Sequence, residues 1–171
     1  MAGWTFSGWK MDLCIPEVVA IGHKCTYEGC YPEDQKVQNI LDWPACTSLT
    51  EVHGFLGVCG IVRIWVKDFA KCARPLVILM KKDMEFMWGL EQEEAMEDLK
   101  QAIVTVLCLQ LIDYFCDLML ILAVDSLCIA TRFILLQLGS DGKWYPSCFG
   151  SIMWNYQESH YSQAKFEIYG L

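Results

Sequence analysis

The spacing of apolar residues changes once along this chain, near residue 107. Before that point apolar residues recur at three and four positions, the period of a helix with one face in a core. Beyond it they come in short solid runs, which suits strands. "EVVAIGH" and "KCTYEG" open the first part as one or two short strands turning at Gly22 and Gly29. Val18, Val19, Ile21 and Tyr27 have the shape that suits a pleated surface. "PEDQKVQNILDWP" predicts a helix with Pro32 in its first turn, Val37, Ile40 and Leu41 on one face, and Pro44 past its end. "SLTEVHGFLGVCG" opens with a capping box, in which Ser48 or Thr47 caps and Glu51 answers. Leu49, Val52 and Leu56 form the stripe of that helix. "IVRIWVKDFAKCARPL" predicts a third short helix that stops before Pro75. "EQEEAMEDLKQAIVTV" is the clearest amphipathic helix, with acids at the positive end of its dipole and Ala95, Leu99, Ala102, Ile103 and Val106 inward.

The runs that follow are "LCLQLIDYF", "LMLILAV", "TRFILLQL" and "WYPSCFGSIMW". "GSDGK" (139–143) between the last two is a hairpin turn signal. The tail "NYQESHYSQAKFEIYGL" resumes a helical period. No internal repeat and no low-complexity stretch interrupts the pattern. One residue breaks it: Asp125, an acid between two apolar runs, where a charge is costly unless paired.

Composition narrows the class. A chain of 171 residues that is 54% hydrophobic, with 7 Trp, 7 Tyr and 8 Phe, has ample core material, so general disorder is excluded. The net charge of −8 argues against nucleic-acid binding driven by overall charge. The charge is segregated, however. Arg63, Lys67, Lys71 and Arg74 fall at helical spacing, with Lys81 and Lys82 beyond, before acids dominate from Asp83 to Asp98. Such a stripe is a solvated face or one that tracks a phosphate backbone. The ten cysteines are scattered, with no CxxC pair and no zinc-finger spacing. They read as small buried hydrophobes in a reducing compartment. "MAGWTFSGWK" lacks the form of a signal peptide. Runs such as Leu118–Val124 are far short of the ~20 residues that span a bilayer. A soluble intracellular protein, in cytoplasm or nucleus and without a membrane contact, is expected.

These blocks in this order resemble the polyprotein of Ty3/gypsy-type LTR retrotransposons, at the end of the reverse transcriptase and the start of its RNase H domain. "AIGHKCTYEGCYPEDQKVQNILDWP" is similar to the family's Gly-His hairpin followed by "P-x-x-x-K-V-x-x-I-x-x-W-P". "LTEVHGFLGVCGIVRIWVKDFAKCARPLVILMKKDMEFMWG" resembles the block with "F-L-G", a later "P-L" and "K-K-x-x-x-F-x-W". "EQEEAMEDLKQAI" is similar to "Q-x-A-F-x-x-L-K", and "LILAVDS" to a strand ending in "T-D-A-S". "DGKWYPSCFGSIMWNYQESHYSQAKFEIYGL" resembles the final block with its recurrent Glu and Tyr. The resemblance runs from about Phe6 to Leu171.

The resemblance implies an α/β fold: an N-terminal β-hairpin and small helical thumb, a linker helix, then a truncated RNase H-like sheet of three antiparallel strands and the start of a helix. It divides the chain into residues 1–82, primer grip and thumb, and 83–171, connection and RNase H-like portion. It makes Gly22 and His23 of the hairpin, and Arg63, Lys67, Lys71 and Arg74 of the thumb, nucleic-acid-binding residues for a template–primer duplex or RNA–DNA hybrid. It makes Asp125 and Glu167 catalytic and metal-ligating, while Glu158 matches a recurrent acid that is not a ligand. The family's activities are RNA-directed DNA synthesis and cleavage of RNA–DNA hybrids. The cleavage uses two Mg²⁺ (or Mn²⁺) ions about 4 Å apart, held by hard carboxylates.

Departures weaken the catalytic half of that expectation. The polymerase's YxDD is absent, and two of the family's four RNase H acids have no counterpart here, so metal is expected to bind poorly. Leu127 and Arg132 are bulky where the family has small residues, and Trp65 and Cys30 replace more usual types. The isolated chain is therefore expected to be neither polymerase nor efficient nuclease. The alternative is a co-opted, non-catalytic nucleic-acid-binding or protein-interaction module.

Overall fold

A computed structural model describes residues 8–10, 14–82 and 84–169. Phe6, where the resemblance begins, Asp83, the first residue of the expected second part, and Leu171, where the resemblance ends, lie outside the described residues. The architecture is α/β, with two three-stranded antiparallel sheets and five α-helices among those residues.

The first sheet is a meander of β1 (Glu17–Ala20), β2 (His23–Thr26) and β3 (Cys30–Pro32). Ala20 pairs with His23, so the first loop is the two residues Ile21 and Gly22, both at positive φ (53° and 76°). That is the type I′ turn that matches strand twist, and Gly22 suits it where the β-branched Ile21 does not. Gly29 closes the second turn at φ 145°, where an added Cβ would strike the Leu109 carbonyl. The expected one or two strands are thus three. Pro32 ends β3 rather than opening a helix, because α1 (Asp34–Leu41) starts two residues later behind Glu33.

α2 (Leu49–Val62) is capped by Ser48, whose side chain accepts from the Glu51 N–H. Glu51 reaches back to the Thr47 N–H at 2.6 Å, so both candidate caps are used, each differently. The buried face is Val52, Phe55, Cys59 and Val62, while Leu49 is exposed and Leu56 only half-buried. This corrects the expected stripe by one step around the helix.

The expected third helix is two elements. Ile61 and Val62 finish α2, and a 3-10 turn covers Arg63–Trp65. Asp68 then stands in the left-handed region (φ 60°, ψ 27°) before α3 (Phe69–Leu79). α3 also runs through Pro75 rather than stopping before it. Ala70, Ala73, Leu76 and Leu79 are buried at three-residue spacing across the proline. Burial of Leu76 and Leu79 offsets the hydrogen bond and ring clash that proline costs. α4 (Leu90–Val104) packs on α3 through Ala95, Met96, Leu99 and Ile103, so the expected linker helix is part of the main core.

The second sheet is β4 (Leu120–Ser126), β5 (Ala130–Leu138) and β6 (Trp144–Met153) in that order, all antiparallel. The turn at Gly139–Lys143 is where "GSDGK" predicts it. "LCLQLIDYF" makes no strand. Leu109 bridges to Cys30 and the Gln110 N–H donates to Pro146 O at 2.9 Å, while Tyr114 and Phe115 are exposed. The buried Gln137 side chain holds this segment, donating to Asp113 O and accepting from Asp113 N, both at 2.9 Å. α5 (Gln163–Tyr169) closes the chain through Phe166, whose ring stacks 5.8 Å from Trp154.

Candidate functional site

Side chains alternate across a strand, and directly paired residues share a face. Asp125 pairs with Arg132, and Arg132 with Ser151, so these three lie on one face of the second sheet. That face meets the Arg63–Trp65 turn and α3. The opposite face carries Val124, Phe133 and Ile152, and with Tyr169 these line the groove beneath α5.

On the helix-facing side one guanidinium joins two acids. Arg132 Nε donates to Asp125 Oδ2 at 2.8 Å, and its Nη1 donates to both oxygens of Asp68 at 3.0 Å. Asp125 first, then Asp68, raises the Arg132 pKa above its ordinary value, since both favour the charged form. Asp68 sits where it does because the left-handed residue turns the chain into α3. Lys67 joins Asp68, Asp125 and Arg132 around a shallow cavity floored by Ala123, Ile134 and Phe149. Next to it, Arg63 Nη2 donates to Ser151 O at 2.8 Å, and the Ala70 N–H donates to Ser151 Oγ at 2.9 Å. The arrangement clamps the sheet to α3.

Glu167 lies elsewhere. It is exposed on α5 and accepts from Gln163 Nε2 at 2.8 Å. Strand alternation turns Asp125 toward α3, while α5 packs on the other face. Among the described residues no group of three or more His, Cys, Asp or Glu is placed to hold a metal ion. An Arg-bound carboxylate is also a poor start for an Mg²⁺ site, which needs free carboxylate oxygens and near-octahedral geometry. The residues present do not fit the family's metal pair. Glu158 caps its own turn, accepting from the Asn155 N–H at 2.8 Å.

The basic residues do not share a helix face as their spacing predicts, because the break at Asp68 divides them. Arg63 lies in the 3-10 turn with its guanidinium 5.7 Å over Phe69, and Lys67 lies in the connecting loop. Lys71 and Arg74 are exposed on α3. Lys67 and Lys71 face Glu91, Glu94 and Asp98 of α4 across a groove, so that surface is of mixed charge. His23 is half-buried, its ring 4.9 Å from Trp65, and Gly22 forms the adjacent turn. Asp68 and Ser151 were not legible as site residues, since each meets its partner across 64 and 81 positions of sequence.

Residues 88–171 match the family model of the RNase H-like domain found in reverse transcriptase. The chain is 28% identical over 162 residues to the Retrovirus-related Pol polyprotein from transposon 412 of Drosophila melanogaster, covering 93% of this chain and 13% of that protein. It is 26% identical over 159 residues to the Transposon Tf2-3 polyprotein of Schizosaccharomyces pombe, covering 93% and 12%. To the Gag-Pol polyprotein of Feline leukemia virus it is 32% identical over 103 residues, 60% of this chain and 6% of that one. The chain therefore spans a small fraction of the relatives it matches. Its fold resembles the foamy viral protease-reverse transcriptase solved with RNA/DNA hybrid, with TM-score 0.79 at 18% identity, over 94% of this chain and 22% of that one. No helix among the described residues is long and apolar enough to cross a membrane.

Proposed function

We propose, for a chain that belongs to the reverse transcriptase/RNase H region of retroviral and retrotransposon polyproteins, that its role is to hold a nucleic-acid duplex rather than to cut one. The observation that carries this is the Arg132 guanidinium on Asp125, the position that resembles the family's first metal ligand. Asp125 and Glu167 are then metal-ligand positions by descent, with Asp125 turned to a structural use. The division at residues 82 and 83 separates a primer-grip and thumb part from the connection and RNase H-like part.

Duplex holding is supported by the fold shared with the foamy viral protein, whose structures contain double-stranded DNA or RNA/DNA hybrid. On this chain the contact falls to exposed cations, Lys71 and Arg74 with Lys81 and Lys82 beyond them, and to the hairpin at Gly22 and His23. Each phosphate contact releases counterions, so affinity must fall as salt rises. Fluorescence anisotropy with a labelled RNA–DNA hybrid and a DNA duplex tests this. Binding that weakens with salt is expected, and Lys71→Glu with Arg74→Glu should lower affinity about tenfold or more. Absence of a salt slope would falsify the binding role. Cleavage of the hybrid in Mg²⁺ or Mn²⁺ that Asp125→Asn abolishes would overturn the non-cutting role.

A further inference from the structure

Cys25 and Cys30 carry no sequence motif, yet the β2–β3 hairpin sets them directly opposite one another. The neighbouring pair, Thr26 and Gly29, exchanges both backbone hydrogen bonds, at 2.8 and 3.3 Å. Cys25 and Cys30 are therefore a non-hydrogen-bonded pair, the kind whose Cα atoms stand about 4.5 Å apart with side chains closest. That separation lies within the range a disulfide spans. Both thiols are free, and their Sγ atoms are 2.9 Å apart.

We propose that Cys25 and Cys30 form a reversible oxidation site that takes a low-molecular-weight disulfide as its oxidant and closes to a cross-strand disulfide. Cys25 is half-buried and Cys30 buried, so Cys25 is the entry point. Its thiolate attacks one sulfur of the small disulfide, whose S–S bond breaks and releases one thiolate, which takes up a proton. The Cys30 thiolate then attacks the Cys25 sulfur of the mixed disulfide and expels the second small thiol. The protein loses two electrons and two protons, and the small disulfide gains them. Burial, and then the Cys25 thiol, pushes the Cys30 thiol up to about 12, so the closing step quickens as pH rises.

The site has a structural reach. The Cys30 N–H donates to Leu109 O at 2.7 Å, the Leu109 N–H returns to Cys30 O at 3.0 Å, and Trp65 Nε1 donates to Cys30 O at 3.1 Å. A closed bridge fastens the strand that ties the first sheet to the segment after α4. Cys108 is the rival thiol, since its Sγ donates to Glu28 O at 3.4 Å, at the tip of the same hairpin.

The test equilibrates the whole chain in a series of glutathione to glutathione disulfide ratios, quenches with N-ethylmaleimide, digests with trypsin and weighs the peptides. Cleavage after Lys24 and Lys36 releases one peptide holding Cys25 and Cys30 and no other cysteine. As the buffer becomes oxidising, that peptide should lose both maleimides and become lighter by two hydrogens, and dithiothreitol should reverse the change. Cys108→Ser should leave the shift in place, and Cys25→Ser should abolish it. Two maleimides at every ratio, a lasting glutathione adduct, or a bridge to the Cys108 peptide would each overturn the proposal. The wild-type measurement decides it even where a variant fails to fold.

Discussion

Arg132 lies opposite Asp125 on the neighbouring strand and reaches on to Asp68, so one guanidinium balances two carboxylates. The triad is partly exposed, with side-chain exposures of 37% for Arg132, 52% for Asp125 and 25% for Asp68. Solvent screens such pairs, and each is worth about 1 kcal/mol or less. Arg132→Ala should therefore cost about 1–2 kcal/mol in urea unfolding, because it leaves both acids without their partner. Asp125→Asn should cost less than that, since Asp68 keeps its contact with Arg132 Nη1. A second residue-scale expectation concerns the β5–β6 turn. The Tyr145 hydroxyl, at 2.8 Å, and then the Lys143 N–H hold the Asp141 carboxyl below its ordinary pKa. A lowered carboxyl pKa contributes stability above the unfolded value, and that contribution is lost as pH falls through the folded one. An NMR titration should find the Lys143 amide shift moving with a midpoint below the ordinary carboxylate value, and Tyr145→Phe should raise that midpoint.

Among the elements, the β1–β2 turn holds the clearest local strain. Ile21 is β-branched, 95% exposed and at φ 53°, so it gains no burial to offset a left-handed backbone. Ile21→Asn places the residue that a type I′ turn prefers, and a thermal melt should show stabilisation of about 1 kcal/mol. A loss of stability would mean that the turn is held by contacts of Ile21 itself. Most elements were legible because their signals are local. The Ser48–Glu51 box, the acids opening α4 and the "GSDGK" turn each act within a few residues. The failures were local signals overruled at a distance. Pro75 ought to end a helix, but Leu76 and Leu79 find a buried surface beyond it. The run at 107–115 is apolar enough for a strand, yet its backbone pairs only at Leu109, with Cys30, and at Gln110, whose N–H donates to Pro146 O.

In the whole molecule the second sheet is held to the helical core at Ser151. Its Oγ accepts the Ala70 N–H in a buried setting, and its carbonyl accepts from Arg63. Ser151→Ala leaves that N–H without a partner and should destabilise the chain by about 1–3 kcal/mol, read as a lower urea midpoint with an unchanged slope. A changed slope would mean that the sheet and the helices no longer unfold together.

The change from a helical first part to a stranded second part, the caps and turns at Ser48 and Gly139–Lys143, and the likeness to a reverse transcriptase/RNase H region could be read along the chain. Each rests on periodicity, capping or motif order within a short window. The fate of Asp125 could not. Sequence order marks it as an acid after an apolar strand, which suits a metal ligand and a salt bridge equally. The choice depends on which face of β4 it takes, on Arg132 directly opposite, and on a left-handed Asp68 brought alongside from another element. Those are register and packing relations between distant segments, and such relations exist only once the chain has folded.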